Sequence, residues 1–199
     1  MINIPENQSA SDSNNRQVDP LLRVLRDAQG KLNALGDTLI DGFIRHMNEM
    51  SSRIPPENAS REVAEKFWKN LSAASEGLAK HRERAIRPIL DAWRNATPEH
   101  QALLREPMTR ILRERPAAIH ATLQDPEYAE IATRASFYAL ERTPGDLQIL
   151  GDMLGRFPRD AADAEIESLT RRMNDPDRSQ NKVLREAFEG FLRRVEERR

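Results

Sequence analysis

The sequence contains no cysteine among its 199 residues. Disulfide bonds, thiolate metal sites, Cys-x-x-Cys redox motifs and cysteine nucleophiles are therefore excluded. No stretch approaches the roughly 20 consecutive apolar residues that a membrane-spanning helix needs. The N-terminus also lacks the basic region and apolar segment of a secretory signal peptide. We therefore expect that any export of this chain uses another route.

Recognisable catalytic motifs are missing as well. The patterns GxxxxGK[ST], GxGxxG, GxSxG and HExxH do not occur, and no histidine has a glutamate three residues before it. The four histidines are far apart in the chain: His46, His81, His100 and His120. We expect no metal and no cofactor, and the sequence leans against an enzyme. An unrecognised helical enzyme, with a site assembled from dispersed carboxylates and arginines, stays open as an alternative.

Opposite charges nearly balance, with 31 Lys and Arg against 32 Asp and Glu and a net charge of -1. The whole chain thus lacks the strong positive charge of a dedicated nucleic-acid binder. A local positive excess over residues 80–115 nevertheless provides candidate contacts to phosphates or an acidic partner: Arg82, Arg84, Arg87, Arg110 and Arg113. Interspersed acidic residues favour a solvated helix face with ion pairs. A nucleic-acid-associated regulator is the second alternative function.

Residues 1–19 are rich in Ser, Asn and Gln and carry few apolar side chains. Burial of so few apolar groups cannot offset the entropy lost on ordering the segment. The sequence therefore predicts a disordered leader over residues 1–19. Asp19 and Pro20 then provide a capping residue and a first-turn proline, which together predict the start of a helix.

Apolar residues recur every three or four positions after Pro20 and predict an amphipathic helix of about nine turns. Three internal glycines each cost roughly 1 kcal/mol of helix propensity relative to alanine, so we expect this helix to need a packing partner. The following helix is the simplest partner, but the stripe is also a candidate surface for another protein. The candidate partner-binding residues are Leu21, Leu25, Leu32, Leu35 and Leu39, together with Phe137, which lies off the main stripe of its own helix.

Proline marks the remaining helix boundaries. Ile54-Pro55-Pro56 ends the first helix, and a second apolar stripe begins near Ser60 and continues past a kink predicted at Pro88. Pairs of a capping residue and a proline then predict four helix starts, and weaker breaks follow at three other prolines. The pairs are Thr97-Pro98, Asp125-Pro126, Thr143-Pro144 and Asp175-Pro176, and the weaker breaks are at Pro107, Pro116 and Pro158.

No segment alternates between polar and apolar residues as a half-buried strand does. The predicted fold is therefore all-α. Residues 20–199 are expected to form a single helical domain, with a long antiparallel hairpin over residues 20–96 and a bundle or stack of short, proline-punctuated helices over residues 97–199.

The N-terminus resembles the substrates of bacterial type III secretion. The resemblance lies in the polar Ser/Asn/Gln-rich segment with Ile2, Ile4 and Pro5, followed by an amphipathic helix. It implies a bacterial cytoplasmic protein exported into a host cell, which binds a secretion chaperone near its N-terminus and a host protein after export. The favoured function is thus a helical protein-interaction module, either a secreted effector or a secretion-associated regulator.

Overall fold

The computed structural model describes residues 20–175 and 181–198, with side chains from Val24 onward. These residues form nine α-helices and two 3₁₀ turns and contain no β-strand, which confirms the all-α fold. A long first helix, a second helix and then shorter ones give the predicted layout. The α-helices are α1 Pro20–Ser51, α2 Arg61–Ala79, α3 Glu83–Arg94, α4 Pro98–Glu114, α5 His120–Leu123, α6 Ala129–Ala139, α7 Pro144–Met153, α8 Arg159–Met173 and α9 Lys182–Arg198; the 3₁₀ turns are Pro116–Ile119 and Leu154–Arg156.

Side-chain caps fix the first residues of four helices, and in α9 the side-chain oxygen of Asn181 accepts a hydrogen bond from the N–H of Leu184 at 3.1 Å. The other three caps are hydroxyl groups. The hydroxyl oxygens of Ser60, Thr97 and Thr143 accept hydrogen bonds from the backbone N–H groups three residues later, at 3.4, 3.3 and 3.2 Å. These bonds satisfy donors that the first helical turn leaves unpaired. The starts predicted at Thr97-Pro98 and Thr143-Pro144 are confirmed.

The Asp125-Pro126 pair begins a turn and not a helix. The Asp125 carboxylate accepts a hydrogen bond from the N–H of Glu127 at 3.1 Å, and α6 begins only at Ala129. The predicted start at Asp175-Pro176 falls at the edge of the described residues, because the structure is not described from residue 176 to residue 180.

The second apolar stripe is divided at Arg82 and not at Pro88. Arg82 has a φ of 50°, and it separates α2 from α3. Pro88 lies inside α3, and Pro107 lies inside α4 at a buried position. The break predicted at Pro107 is therefore wrong, whereas the kink predicted at Pro88 stays a prediction. Burial of the surrounding apolar side chains outweighs the loss of one backbone hydrogen bond at each proline.

The chain divides into two units, Met1–Thr38 and Leu39–Arg199. In the first unit, the described part is residues 20–38, which are helical throughout. The predicted leader, residues 1–19, lies outside the described residues. The division falls within α1, whereas the sequence places a domain boundary at residue 19.

The core of the second unit is centred on α4. This helix packs against α2, α3 and α6, while α6 also packs against α8, and α7 packs against α9. Fully buried aliphatic side chains fill the space between the helices, among them Leu78, Ile86, Leu90, Leu104, Met108 and Leu112. The second unit thus has a continuous hydrophobic core of its own.

The end of α1 that belongs to the second unit contributes to this core. Ile40 and Met47 are fully buried, and the ring of Phe43 lies directly against Gly77 of α2. A Cβ atom at position 77 would lie only 2.7 and 2.8 Å from Cε1 and Cε2 of that ring. The close approach of Phe43 therefore requires glycine at this position.

Candidate functional site: an exposed apolar helix face

The first half of α1 presents an apolar face to solvent. Every side chain from Val24 to Leu35 is exposed. The exposed fractions of the four large aliphatic residues are 63% for Val24, 54% for Leu25, 62% for Leu32 and 57% for Leu35. We call these four residues the leucine face. At about 100° of rotation per residue, they lie within an arc of about 100° on one side of the helix.

The opposite side of this helical segment is polar. Gln29 donates a hydrogen bond from its side chain to that of Asn33 at 3.0 Å. Arg26 and Asp27 add one charge of each sign. The segment is thus amphipathic, and its apolar side is exposed to water just as its polar side is.

The remaining two candidate leucines stand apart from this set. Leu39 is the first residue of the second unit and is 45% exposed. Leu21 belongs to α1, but its side chain lies outside those that the structure describes. Three of the five predicted partner-binding leucines therefore belong to the leucine face.

Phe137 corrects one prediction. Its side chain is fully buried, and its ring centroid lies 5.4 Å from that of Phe157 and 6.3 Å from that of Phe191. Its helix, α6, packs against both α4 and α8, so a position off the main stripe is still covered. The expectation that Phe137 is an exposed contact is wrong.

Two of the five candidate arginines are paired with buried or half-buried groups. Arg113 donates two parallel hydrogen bonds to the carboxylate of Asp146, at 2.6 and 2.8 Å. Arg110 donates to the carboxylate of Glu106 and to the hydroxyl of Ser72, both at 3.1 Å. These contacts tie α4 to α7 and to α2.

The Arg113–Asp146 pair perturbs both groups. Burial disfavours the charged form of Asp146, but hydrogen bonds from Arg113 and Thr143 and the charge of Arg113 outweigh burial and hold its pKa below the usual value. The hydrogen bond to Asp146 raises the pKa of Arg113. Both groups are therefore charged at neutral pH.

The other three candidate arginines lie around α3. Arg87 forms an ion pair of 2.6 Å with Asp125, and its guanidinium lies 4.9 Å from the centre of the Tyr128 ring. Arg82 and Arg84 are exposed. Arg87, Arg110 and Arg113 are thus each paired with a carboxylate of the protein, which partly neutralises their charges.

A buried ionic network lies inside the second unit. The Glu141 side chain is 1% exposed and accepts hydrogen bonds from Arg105 at 3.2 Å and from Arg172 at 2.8 Å. Arg105 is 5% exposed, and its guanidinium lies 4.2 Å from the centre of the Tyr138 ring. Sequence reasoning missed this network, because its members are more than 30 residues apart and no local pattern joins them.

A cleft of about 700 Å³ lies between the second-unit part of α1 and the α3–α4 region. Its polar lining includes Asp41 and Arg45 of α1, with Asp91 and Asn95 on the other side. His100 also lines the cleft, but it is 6% exposed, and burial lowers its pKa. The imidazole is therefore neutral at physiological pH.

This cleft lacks the partners that nucleophilic catalysis needs. The hydroxyl of Thr97 accepts a hydrogen bond from the backbone N–H of His100 and so serves as a helix cap. The ring Nε2 of His100 is buried without a hydrogen-bond partner. No hydrogen-bonded pair of nucleophile and base is present among the residues of the cleft.

Three further findings are negative. Among residues 20–175 and 181–198, no group of three or more acidic or His side chains is arranged to hold a metal ion. None of the helices described there combines the length and the apolar character needed to cross a lipid bilayer. Comparisons with models of protein families, with curated proteins and with solved structures all find no match to this chain.

Proposed function

We propose that this chain is a helical protein-interaction module and that the leucine face is its binding surface. The observation that carries the proposal is the exposure of four large aliphatic side chains within twelve residues of one helix. Exposed apolar patches of this kind mark interaction sites on soluble proteins. A partner helix with its own apolar stripe is the ligand that fits a straight helical face.

The energetic incentive for covering the face is substantial. Completing the burial of each of these side chains is worth roughly 1–2 kcal/mol at its present exposure. The four together supply roughly 4–8 kcal/mol before the cost of association is subtracted. Micromolar binding requires about 8 kcal/mol after that cost, so the leucine face alone does not supply it, and burial of apolar surface on the partner must contribute as well. A partner must therefore contact the whole segment.

A matched pair of variants tests the proposal. Leu32→Lys places a charge in the centre of the leucine face, and Ala34→Lys places the same charge two residues away on the polar side. Both positions are exposed, so both variants are expected to keep the native stability within about 0.5 kcal/mol. A partner recovered by photo-crosslinking from position 32 is then purified, and its affinity is measured by calorimetry.

The expected result is a loss of at least about tenfold in affinity for L32K and no change for A34K. Equal affinities for the two variants would contradict the proposal. A crosslink that forms equally well from position 34 would do so too, because it would show that contact at this helix is not confined to the leucine face.

We further propose that the partner is met along a type III secretion route. The composition of residues 1–19 supports this finer proposal. The test is a fusion of residues 1–53, which include the amphipathic helix, to a reporter enzyme in a bacterium that carries such a system. Secretion is expected in the competent strain and not in a strain lacking the secretion ATPase. Retention of the reporter in both strains would exclude this route.

A further inference from the structure

Leu25, Leu32 and Leu35 of the leucine face, together with Ala28 between them, follow the spacing of a coiled coil. Leu25 and Leu32 are seven residues apart, and so are Ala28 and Leu35. These residues alternate at steps of three and four, which are the two inward positions of a heptad. A repeat of seven residues selects a partner helix that packs side by side with a slight left-handed supercoil. The sequence continues the same spacing outward to Leu21 and Leu39.

The four inward side chains of one copy are complementary to those of a second copy when the two helices are antiparallel. When two copies lie antiparallel, Leu25 of one copy faces Leu35 of the other, and Ala28 faces Leu32. The twofold axis repeats both layers, so the small alanine always meets a large leucine. A parallel pair would place Ala28 opposite Ala28 and leave a void in the middle of the contact.

The charges beside the face fit an uncharged partner surface. The positions that flank the inward residues are Val24, Gln29 and Lys31, and Lys31 alone is charged. Asp27 lies four residues before Lys31, at the spacing of an intrahelical ion pair. The face therefore presents only one positive charge to an acidic partner and no row of carboxylates to a basic partner. In the antiparallel pair, Lys31 lies beside Lys31 of the second copy near the twofold axis, and the repulsion between these two exposed charges is small because both ammonium groups remain in water.

The size of the face also suits self-association. Four side chains exposed by 54–63% present an apolar patch on the order of 400 Å². Two such patches bury about 800 Å² in one contact, and Ala28 with the flanking side chains extends this toward the roughly 1,000 Å² that a specific interface needs. The contact thus lies at the lower limit for a specific interface, and the proposed dimer needs the whole face together with its flanking side chains.

We propose that the leucine face binds the same face of a second copy of this chain, with the two helices antiparallel. This inference rests on the proposed function, since it names the partner of that surface. It predicts a symmetric dimer in which Leu32 lies next to the twofold axis. Each substitution at this position acts twice in the interface.

Sedimentation velocity of the purified full chain tests the dimer. The native chain and A34K are expected to sediment at twice the chain mass of 22.8 kDa, and L32K is expected to remain monomeric. The dimer dissociation constant of L32K should rise by at least about a hundredfold, because two lysines enter one apolar contact. Circular dichroism confirms that both variants keep their helical content.

The absence of cysteine makes the orientation directly measurable. L25C and L35C, mixed and oxidised, are expected to form a disulfide between copies, whereas each variant alone is not. An efficient disulfide from L25C alone would overturn the antiparallel arrangement. Dimers that persist in L32K would overturn the proposal, because another surface would then be responsible.

A native chain that stays monomeric at every concentration would also overturn this inference. The proposed function would survive that result if L32K, and not A34K, still lost affinity for the partner recovered by crosslinking. Binding of the monomer to uncharged lipid vesicles, abolished by L32K, would show instead that a membrane surface covers the face. The two proposals thus fail on different measurements.

Discussion

Removal of the Glu141 carboxylate is expected to destabilise the second unit more than any surface substitution. In Glu141→Leu, Arg105 keeps its charge but loses its acceptor at 3.2 Å, and its side chain is only 5% exposed. Arg172 is 34% exposed and can turn toward water. The cost is therefore that of one uncompensated buried charge, about 3–5 kcal/mol.

A surface pair provides the control. Arg94 and Glu127 form an ion pair of 3.7 Å in which the side chains are 42% and 68% exposed. Glu127→Leu is expected to cost less than about 1 kcal/mol, because exposed pairs contribute little. The comparison separates the effect of burial from the effect of losing a carboxylate.

The assay is urea unfolding followed by tryptophan fluorescence, in which the buried Trp93 reports on the second unit. For a domain of this size the expected loss corresponds to a fall of about 6–20 °C in the melting temperature. The double variant Arg105→Leu with Glu141→Leu removes the stranded charge, so it should recover much of the stability. A double variant as unstable as Glu141→Leu alone would refute the reasoning. Equal costs for Glu141→Leu and Glu127→Leu would refute it as well.

Three further outcomes follow from the structure. Gly77→Ala should lower the free energy of unfolding by about 1–3 kcal/mol, because the new Cβ displaces the Phe43 ring. Gly42→Ala, with no atom within 4 Å of the new Cβ, should raise it by about 0.5–1 kcal/mol. Chemical denaturation of both variants measures the difference. Burial lowers the pKa of His100 in the folded chain, so the unfolded chain binds the proton first and stability declines as pH falls below 6.5. In His100→Gln, unfolding curves between about pH 7 and 5 should show a shallower decline. Folding lowers the pKa of Asp146, so its contribution to stability is present above pH 3.8 and is lost as pH falls through the lowered value. Asp146→Asn should therefore be less stable than the native chain at neutral pH and should lose less stability on acidification.

Local signals were enough to predict the fold class and several helix ends. Thr97 and Thr143 cap their helices as expected because a cap depends on neighbours three residues away. The boundary at Arg82 could not be predicted, because neither glycine nor proline marks it. Pro107 misled the prediction, since its burial in the core outweighs its local penalty.

The candidate site was predictable only in part. The spacing of Leu25, Leu32 and Leu35 identifies an apolar stripe but not what covers it, because the same pattern serves core packing and partner binding. Phe137 shows the opposite error, since a helix enclosed on two sides buries residues that a single stripe would leave exposed. Contacts such as Arg105 with Glu141 join distant parts of the chain and have no local signature.

The exposure of residues 24–35 has a consequence for amide hydrogen exchange. These amides are protected by the hydrogen bonds of their own helix alone, and Gly30 weakens that helix further. While the face is uncovered, they should take up deuterium much sooner than the amides of residues 40–50, where Ile40, Met47 and Met50 are buried. Slow uptake in residues 24–35 would then be a direct sign that the face is occupied, whatever molecule occupies it.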